Sequence, residues 1–448
     1  MAPRSSTRPR GRPGRRRIAG SVATLALASS LLAACGGDSG KAQLNWYVNP
    51  DGVEIFQQYA ESCSTDDYEI VVQQLPSSAT DQRVQLARRL AAEDSSTDLM
   101  NLDPVFVAEF ANANWLAEVS EEKAQEITSS VEGEGDYLSG AAETVIWEDK
   151  VYAIPLWANT QVLWFRKSLA EAAGLDMSQP VTWQQIIEAA GSQGGTVGVQ
   201  ANRYEGYVVW INALIEGAGG SIVENTEAGW DAKVTIGSEA GQQAAEVVQR
   251  LADSPAAQPD LSVSNEGTVL GPMWNDPGEF MVNWTFVYKN YEGLVGKAGG
   301  PADEQAFDDL GWARYPATVE GQESRPPIGG IQIGVGAYSD NPDEAMAAAE
   351  CITSTEAQVT LALEAGLMPS TNAAYEEVIA DGAYPEDLVT LWRESVDTGG
   401  PRPKSAFYAT ISNAIQTEWH APSSVDPGST PEDSATFLEA VLEGKELL

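Results

Sequence analysis

Histidine is almost absent from this 448-residue sequence, because His420 is the only one. A single histidine excludes an HExxH zinc site and a histidine pair for a metal, and any Ser-His-Asp triad would have to use His420 itself. His420 lies in TEWHAPSS, where a surface or helix-capping role is expected. A GxxxxGK phosphate loop is also missing, and Pro342 in DNPDE argues against a calcium loop. We therefore expect no cofactor, no metal site and no enzymatic activity.

Basic residues are also scarce: 26 Lys and Arg stand against 65 Asp and Glu, for a net charge of −39. Seven of the 26 are arginines among the first 17 residues, so removal of a leader would lower −39 by seven, to −46. Such a surface repels phosphate backbones and anionic lipid. Nucleic acid is thereby excluded as a partner. The acids are scattered along the chain, which is typical of a solvated surface.

Long apolar runs are missing except near the start, and the run from Ile18 to Ala34 is shorter than the roughly 20 residues of a spanning helix. Arginines precede it and small residues lead to Cys35, which predicts a secretory signal peptide over residues 1–35. The segment LLAACGGDSG resembles a bacterial lipobox, which implies that Cys35 is acylated and that residues 36–41 form a flexible tether. We expect a lipid-anchored protein on the extracytoplasmic face of the cell membrane. The alternative is an ordinary secreted protein, cleaved elsewhere, and the arginine triplet also suits twin-arginine export.

The sequence contains three cysteines. With Cys35 assigned to lipid, Cys63 and Cys351 are left in an oxidising compartment, and we predict a disulfide between them. Each lies late in a predicted helix, so the bond would bring two distant helices side by side. Two unpaired buried thiols are the alternative.

Strand and helix patterns alternate along the first part of the chain. The strands QLNWYV, YEIVVQQL and TDLMNLD are each followed by a helix, the last of them PVFVAEFANANWL. This alternation predicts an α/β fold with a mainly parallel sheet covered by helices on both faces. VYAIP and QVLWFRKSL begin a second set of strands and helices, and residues 264–284 indicate an irregular loop. The length predicts more than one core, without a linker between them.

Three motifs carry a resemblance to a known family: VYAIPLWANTQVLWFRKSLAEAAGLDMSQPVTWQQIIEAA, GGIQIGVGAYSDNPDEAMAAAECITSTEAQVTLALEAGLMPST and GGPRPKSAFYATISNAIQTEW. The chain resembles the carbohydrate-specific extracellular solute-binding proteins of ATP-driven (ABC) importers. The resemblance implies a two-lobe periplasmic-binding-protein-like fold with hinge crossovers and a ligand cleft between the lobes. It places residues 42–150 and 315–355 in lobe 1, and residues 151–314 and 356–448 in lobe 2.

A narrower similarity rests on SSATDQRVQLARRLAAED, NLDPVFVAEFANANWL and PRPKSAFY. These segments are similar to those of the mycobacterial trehalose-binding lipoprotein. The similarity implies a disaccharide ligand, trehalose or a related α-glucoside, that a monomer delivers to ABC permease subunits in the membrane.

The resemblance also implies a set of ligand contacts. A sugar offers hydroxyls that donate and accept, and weakly apolar ring faces. Carboxylates would accept from the hydroxyls, guanidinium groups would donate, amides would do both, and a tryptophan would stack on a ring face. A glycine would let the ligand approach the backbone. By motif position these contacts fall on Asn49, Gln82, Arg83, Asp103, Asn159, Glu266, Trp284, Gly330, Ile331 and Arg402.

Each polar candidate has a structural alternative, a helix cap or a surface ion pair. Asp103 precedes Pro104 and can cap the next helix, although it also ends a strand where open α/β sheets place ligands. The alternative function is a secreted glycoside hydrolase that uses Asp103 and Glu266 as its two carboxylates. A purely structural surface lipoprotein is a third class, which the motif set disfavours.

Overall fold

The computed structural model of the protein describes residues 41–447. The predicted signal peptide with Cys35 lies outside these residues, and so does the predicted tether apart from Lys41. Within 41–447 no helix has both the length and the apolar character needed to cross a membrane.

The described chain alternates strands and helices from its start. Its strands are β1 (Ala42–Val48), β2 (Tyr68–Gln74), β3 (Leu99–Leu102), β4 (Ile146–Trp147), β5 (Lys150–Val151), β6 (Ala153–Arg166), β7 (Thr196–Gly198), β8 (Val223–Glu224), β9 (Lys233–Val234), β10 (Glu279–Trp284), β11 (Leu310–Ala313) and β12 (Ile328–Val335). Its α-helices are α1 (Val53–Ser62), α2 (Ala79–Ala91), α3 (Pro104–Asn112), α4 (Glu121–Val131), α5 (Ser139–Glu143), α6 (Lys167–Ala173), α7 (Trp183–Gln193), α8 (Glu205–Gly217), α9 (Glu239–Ala252), α10 (Val287–Gly293), α11 (Glu304–Phe307), α12 (Pro342–Ile352), α13 (Thr355–Ala365), α14 (Asn372–Asp381), α15 (Glu386–Asp397), α16 (Tyr408–Trp419) and α17 (Thr430–Leu442).

The main sheet has the strand order β2-β1-β3-β12-β6-β10-β7, with β11 also paired to β6. The pairs β1–β2, β1–β3 and β7–β10 are parallel, whereas the four pairs made by β6 and β12 are antiparallel. The prediction of a mainly parallel sheet is therefore wrong, because the centre of the sheet is antiparallel. The parallel pairs β1–β2 and β1–β3 come from strand-helix-strand units that the local pattern reveals, while β7–β10 and the antiparallel pairs join strands distant in sequence.

Strand β6 joins the two halves of this sheet. Residues 153–160 pair with β12, and residues 161–166 pair with β10 and β11. The sequence predicted two strands here, with the first ending at Pro155. The strand instead continues through a register shift, since Gln332 pairs with Pro155 and Ile331 with Trp157. A bulge is one of the few places where a sheet accepts proline, which has no N–H to donate.

Helix starts follow the capping residues seen in the sequence. The Asp103 side chain accepts a hydrogen bond from Val105 N at 3.2 Å, and Pro104 occupies the first helical position of α3. Thr182 and Gln185 form the predicted capping box at the start of α7. These local predictions are confirmed because a cap depends only on residues within one turn.

Apolar side chains gather in three large cores. One joins strands β1–β3 and β12 to helices α1–α3 and α12, a second joins α7–α9 to α16 and α17, and a third joins β10 and α10 to α14 and α15. Different stretches of β6 contribute to all three cores. The lobe boundaries given above stay a prediction.

Cys63 and Cys351 form a disulfide, as predicted. Their Cα atoms are 5.9 Å apart and 288 residues apart in sequence. Cys63 caps the end of α1 and Cys351 lies in the last turn of α12. The bond therefore holds together two helices of the first core.

We expect the double variant Cys63→Ser/Cys351→Ser to lose about 2–5 kcal/mol of unfolding free energy, because the open chain gains conformational entropy in the unfolded state. Urea unfolding under oxidising conditions measures this loss. Wild-type protein unfolded with a reductant is the control and should match the variant. Equal stability of oxidised wild type and variant would contradict the expectation.

Glu279, the first residue of β10, is a carboxyl group that is fully buried. Its Oε1 accepts hydrogen bonds from Thr196 Oγ1 at 3.1 Å and from Gln258 Nε2, while Oε2 has no hydrogen-bond partner among the described residues. Burial raises the pKa of Glu279 to about 8, although the hydrogen bonds from Gln258 and Thr196 oppose the rise. The folded protein therefore holds a proton that the unfolded chain releases at lower pH.

This difference makes stability fall as pH rises from the ordinary glutamate pKa of 4.5 to about 8, since over that range the folded state binds more protons than the unfolded state. At its steepest, the effect of Glu279 lowers the free energy of unfolding by ~1.4 kcal/mol for each unit that the pH rises. We expect Glu279→Gln to remove it, so the variant should gain stability relative to wild type with increasing pH. Unfolding free energies of both proteins across this range test the expectation, and parallel pH profiles would refute it.

Candidate ligand-binding cleft

A cavity of about 610 Å³ opens where β6 changes its pairing partners. Its walls come from the residues after β1 and β3, the start of α2, the middle of β6, the start of α8, the end of β10 and part of β12. Nine of the ten predicted ligand contacts line it: Asn49, Gln82, Asp103, Asn159, Glu266, Trp284, Gly330, Ile331 and Arg402. Segments far apart in sequence are therefore brought to one place.

Arg83 is the predicted contact that does not line the cavity. Its guanidinium group forms a two-point ion pair with the Glu109 carboxylate of α3, with Nε 2.5 Å from Oε2. Gln82, its neighbour on α2, does line the cavity. The structure therefore brings Gln82 but not Arg83 to the cavity, because consecutive helical positions point about 100° apart and do not share one face.

Arg402 is the charged centre of the cleft. Its side chain is only 2% exposed, and it donates from Nη2 to Asp103 Oδ1 at 2.8 Å and from Nη1 to Glu205 Oε1 at 2.7 Å. Burial lowers the pKa of this guanidinium, but Asp103 and Glu205 help to outweigh burial and shift it upward. Arg402 therefore stays charged and connects the start of α3 to the start of α8.

Glu266 lies in the part of the predicted irregular loop that precedes β10, since residues 279–284 of that segment form a strand. Its Oε2 accepts a hydrogen bond from the Tyr204 hydroxyl at 2.7 Å, and its backbone carbonyl accepts one from Asn283. Burial raises the pKa of Glu266 above its ordinary value, and the negative charge of Asp51 adds to the shift. The carboxyl groups of Asp51 and Glu266 and the hydroxyl of Tyr204 therefore lie in the same part of the cavity lining.

Aromatic rings form two walls of the cavity. Trp157 is buried and stacks on Phe56 with ring centroids 5.9 Å apart, and Trp284 ends β10. The Trp284 ring lies so close to Gly329 that a Cβ there would be 2.8 Å from it. Gly330 has a φ of 127°, and a Cβ would approach the Trp157 carbonyl oxygen to 2.1 Å. Both glycines are therefore required for β12 to pass beside the cleft.

The amide side chains are partly satisfied by the protein. Asn49 accepts from Asn101 Nδ2 at 2.8 Å, and Gln82 donates to the Pro76 carbonyl at 2.8 Å. Asn159, on β6, accepts from Thr285 Oγ1 at 3.2 Å. These bonds hold the amides in place and leave them further hydrogen-bonding capacity.

Several lining residues were missed by the sequence reasoning, namely Asp51, Trp157, Tyr204, Glu205 and Phe286. Trp157 had a usable signal, because it lies two residues before Asn159 on the same strand and strand residues two apart share a face. Tyr204 and Glu205 begin a helix whose register with the cleft depends on tertiary packing.

The cavity is acidic. Among the described residues that line it, Arg402 is the one cation, against the carboxyl groups of Asp51, Asp103, Glu205 and Glu266. Such a site disfavours phosphates and carboxylates as ligands. Acceptor oxygens and aromatic faces together suit a neutral ligand that carries several hydroxyl groups.

Comparison with known families gives the class. Residues 17–359, about three quarters of the chain, match the family model described as bacterial extracellular solute-binding protein. The chain therefore belongs to the family of bacterial extracellular solute-binding proteins.

Solved structures confirm the fold. Maltose-bound MalE3 of T. maritima is 23% identical, with a TM-score of 0.74 and coverage of 90% of this chain and 99% of that one. The GacH receptor of Streptomyces glaucescens, solved unliganded and with acarbose, is 21% identical, with a TM-score of 0.71 over 90% and 98% of the two chains. The two-lobe periplasmic-binding-protein-like α/β fold predicted from the sequence is therefore correct.

A curated relative adds one further similarity. The probable ABC transporter-binding protein of Deinococcus radiodurans is 27% identical over 242 residues, which make up 51% of this chain and 53% of that protein. The chain thus spans about half the length of this relative.

The contribution of the ion pair between Asp103 and Arg402 to stability can be tested without a ligand. Asp103→Asn keeps a side-chain oxygen that caps α3 but removes the charge that faces the buried guanidinium, so we expect a loss of about 1–3 kcal/mol in unfolding free energy. Asp103→Ala should lose about 1 kcal/mol more, because the cap is lost as well. Glu109→Gln, which weakens the more exposed pair with Arg83, is the control and should cost less. Unfolding curves provide the measurement, and an Asn variant as stable as wild type would contradict the role of the pair.

Proposed function

We propose that the protein is the substrate-binding component of an ABC sugar importer and binds a neutral disaccharide, trehalose or a related α-glucoside, in the cleft. The observation that carries this proposal is the composition of the cavity, in which two tryptophans, several carboxyl and amide groups and one arginine surround a volume of about 610 Å³. Carboxylates and amides bind sugar hydroxyls, and flat aromatic side chains pack against the C–H faces of the rings.

The arrangement of the polar groups supports a ligand that spans the cleft. Asp103 and Asn49 follow strands of the first core, whereas Glu266 and Tyr204 belong to segments on the other side of β6. A ligand with hydroxyls at both ends can bind both sets simultaneously. Binding would then favour a closed arrangement of the lobes over an open one. In this proposal the protein changes shape without chemistry, and the closed form is the one that engages the permease.

Delivery requires the protein to remain near the permease. We propose that the Cys35 lipid anchors it to the extracytoplasmic face of the membrane and that residues 36–41 give it reach. The acidic composition supports attachment by lipid, because a strongly acidic surface is repelled by anionic headgroups. We propose that it acts there as a monomer.

A chain of residues 36–448 should bind one disaccharide saturably. We expect tryptophan fluorescence to change with trehalose because Trp284 lies in the cavity, and we expect the melting temperature to rise as ligand stabilises the folded state. Titration of both signals with trehalose, maltose, sucrose, glucose and longer glucans makes the test. A response to another sugar and not to trehalose would make that sugar the proposed ligand. If none of the sugars gives a response, the proposal is contradicted.

Two variants sharpen the experiment. Trp284→Ala should weaken binding by about 10- to 100-fold, the loss of one aromatic stacking contact. Trp230→Ala is the matched control, since Trp230 is 51% exposed and lies outside the cavity lining, and its affinity should equal that of wild type. Each mixture is also analysed for hydrolysis products. Turnover that depends on Asp103 and Glu266 would replace the binding proposal by the glycoside hydrolase alternative.

A further inference from the structure

Glu205 is a buried acid at the border of the cavity that was not among the ligand contacts predicted from the sequence. It is the first residue of α8, and its side chain is 12% exposed. Oε1 accepts hydrogen bonds from Arg402 Nη1 at 2.7 Å and from the Tyr408 hydroxyl, and Oε2 accepts from Ser412 Oγ at 2.6 Å. Three donors from two separate segments thus converge on one carboxylate.

These contacts use most of the hydrogen-bond acceptor capacity of the Glu205 carboxylate. A carboxylate oxygen accepts about two hydrogen bonds, so Oε1 is fully occupied and Oε2 has one position left. The helix N-terminus at which Glu205 lies also favours its negative charge. Although Glu205 borders the cavity, its acceptor capacity is therefore directed mainly at the protein.

Arg402 depends on this carboxylate for its orientation. Its guanidinium is planar, so the Nη1 bond to Glu205 fixes the direction in which Nη2 points, which is toward Asp103. Its Nε has no hydrogen-bond partner among residues 41–447, so the hydrogen bonds that hold the group are those of Nη1 and Nη2. Tyr408 and Ser412 lie on α16, are not part of the cavity lining, and donate the hydrogen bonds that hold Glu205.

We infer that Glu205 is a positioning residue for the binding site: anchored by Tyr408 and Ser412, it sets the orientation of the Arg402 guanidinium toward Asp103 and toward the ligand. The inference rests on the proposed function where it concerns the ligand. The other part of the inference concerns the ligand-free protein, in which Glu205 orients Arg402 toward Asp103. This part does not depend on what the cleft binds.

The inference is tested by an experiment with two arms, one without ligand and one with ligand. The ligand-free arm measures the energetic coupling between Asp103 and Glu205, whose side chains both contact Arg402. The decrease in melting temperature caused by Asp103→Asn is determined in the wild-type and Glu205→Gln backgrounds. The glutamine keeps the size of the side chain and an acceptor oxygen but removes the charge. We expect the decrease to shrink by about half or more in the Glu205→Gln background, because a less firmly held guanidinium interacts less with Asp103. An equal or a larger decrease in the Glu205→Gln background, the result expected if the two carboxylates only compensate the charge of Arg402, would overturn the inference.

The ligand arm uses the sugar that the panel identifies. Glu205→Gln should weaken its binding by about 10-fold and Glu205→Leu by about 100-fold, because the buried guanidinium loses part or all of a charge-assisted hydrogen bond. If Glu205→Leu does not fold, the glutamine variant carries the test. In an Arg402→Met background Glu205→Gln should change affinity by less than about twofold, since Glu205 acts through Arg402. An equal loss in both backgrounds would show a general structural role and would overturn the inference.

A matched control is available in Glu279, a second buried glutamate that lies outside the cavity lining. Glu279→Gln, measured near pH ~6 where its carboxyl is protonated, should leave both the affinity and the effect of Asp103→Asn unchanged. The two arms also separate the two proposals. If the wild-type protein binds none of the sugars, the proposed function fails, while the ligand-free arm still decides whether Glu205 aims Arg402.

Discussion

The continuity of β6 is the constraint on which the rest of the structure depends. One strand of 14 residues pairs first with β12 and then with β10 and β11, so both halves of the sheet are in register with the same backbone. Because strand side chains alternate between faces, a shift of one residue would move every buried side chain of β6 to the wrong face. The cleft lies at the change of partners, where Trp157 and Asn159 on β6 face Ile331 and Gly329 on β12.

Charge in the cleft is organised around a single buried cation. Arg402 would be expensive to bury alone, and the carboxylates of Asp103 and Glu205 compensate its charge from two sides. The ion pair of Arg83 with Glu109 joins neighbouring helices α2 and α3 and is more exposed. Arg402 therefore lines the cavity and Arg83 does not, because the two guanidinium groups connect different segments of the chain.

The local parts of the fold could be predicted because their causes are local. The caps at Asp103 and Thr182 and the alternation of strand and helix depend on residues within a few positions of each other. The disulfide followed from counting cysteines in a chain expected to reach an oxidising compartment. The orientation of the central strands did not follow, because the pairing of β6 with β12 joins segments more than 160 residues apart and hydrophobic pattern carries no direction.

By itself, the amino-acid sequence determined the family, the α/β class and nine of the residues that line the cleft. These follow from residue types and from motifs that are contiguous along the chain. Only the tertiary structure decided that Arg83 faces Glu109, that Tyr204 reaches the cavity, and that Glu205 meets Arg402. Such contacts depend on the rotation of each helix and the register of each strand, which are set by packing between distant segments and leave no mark at the positions concerned.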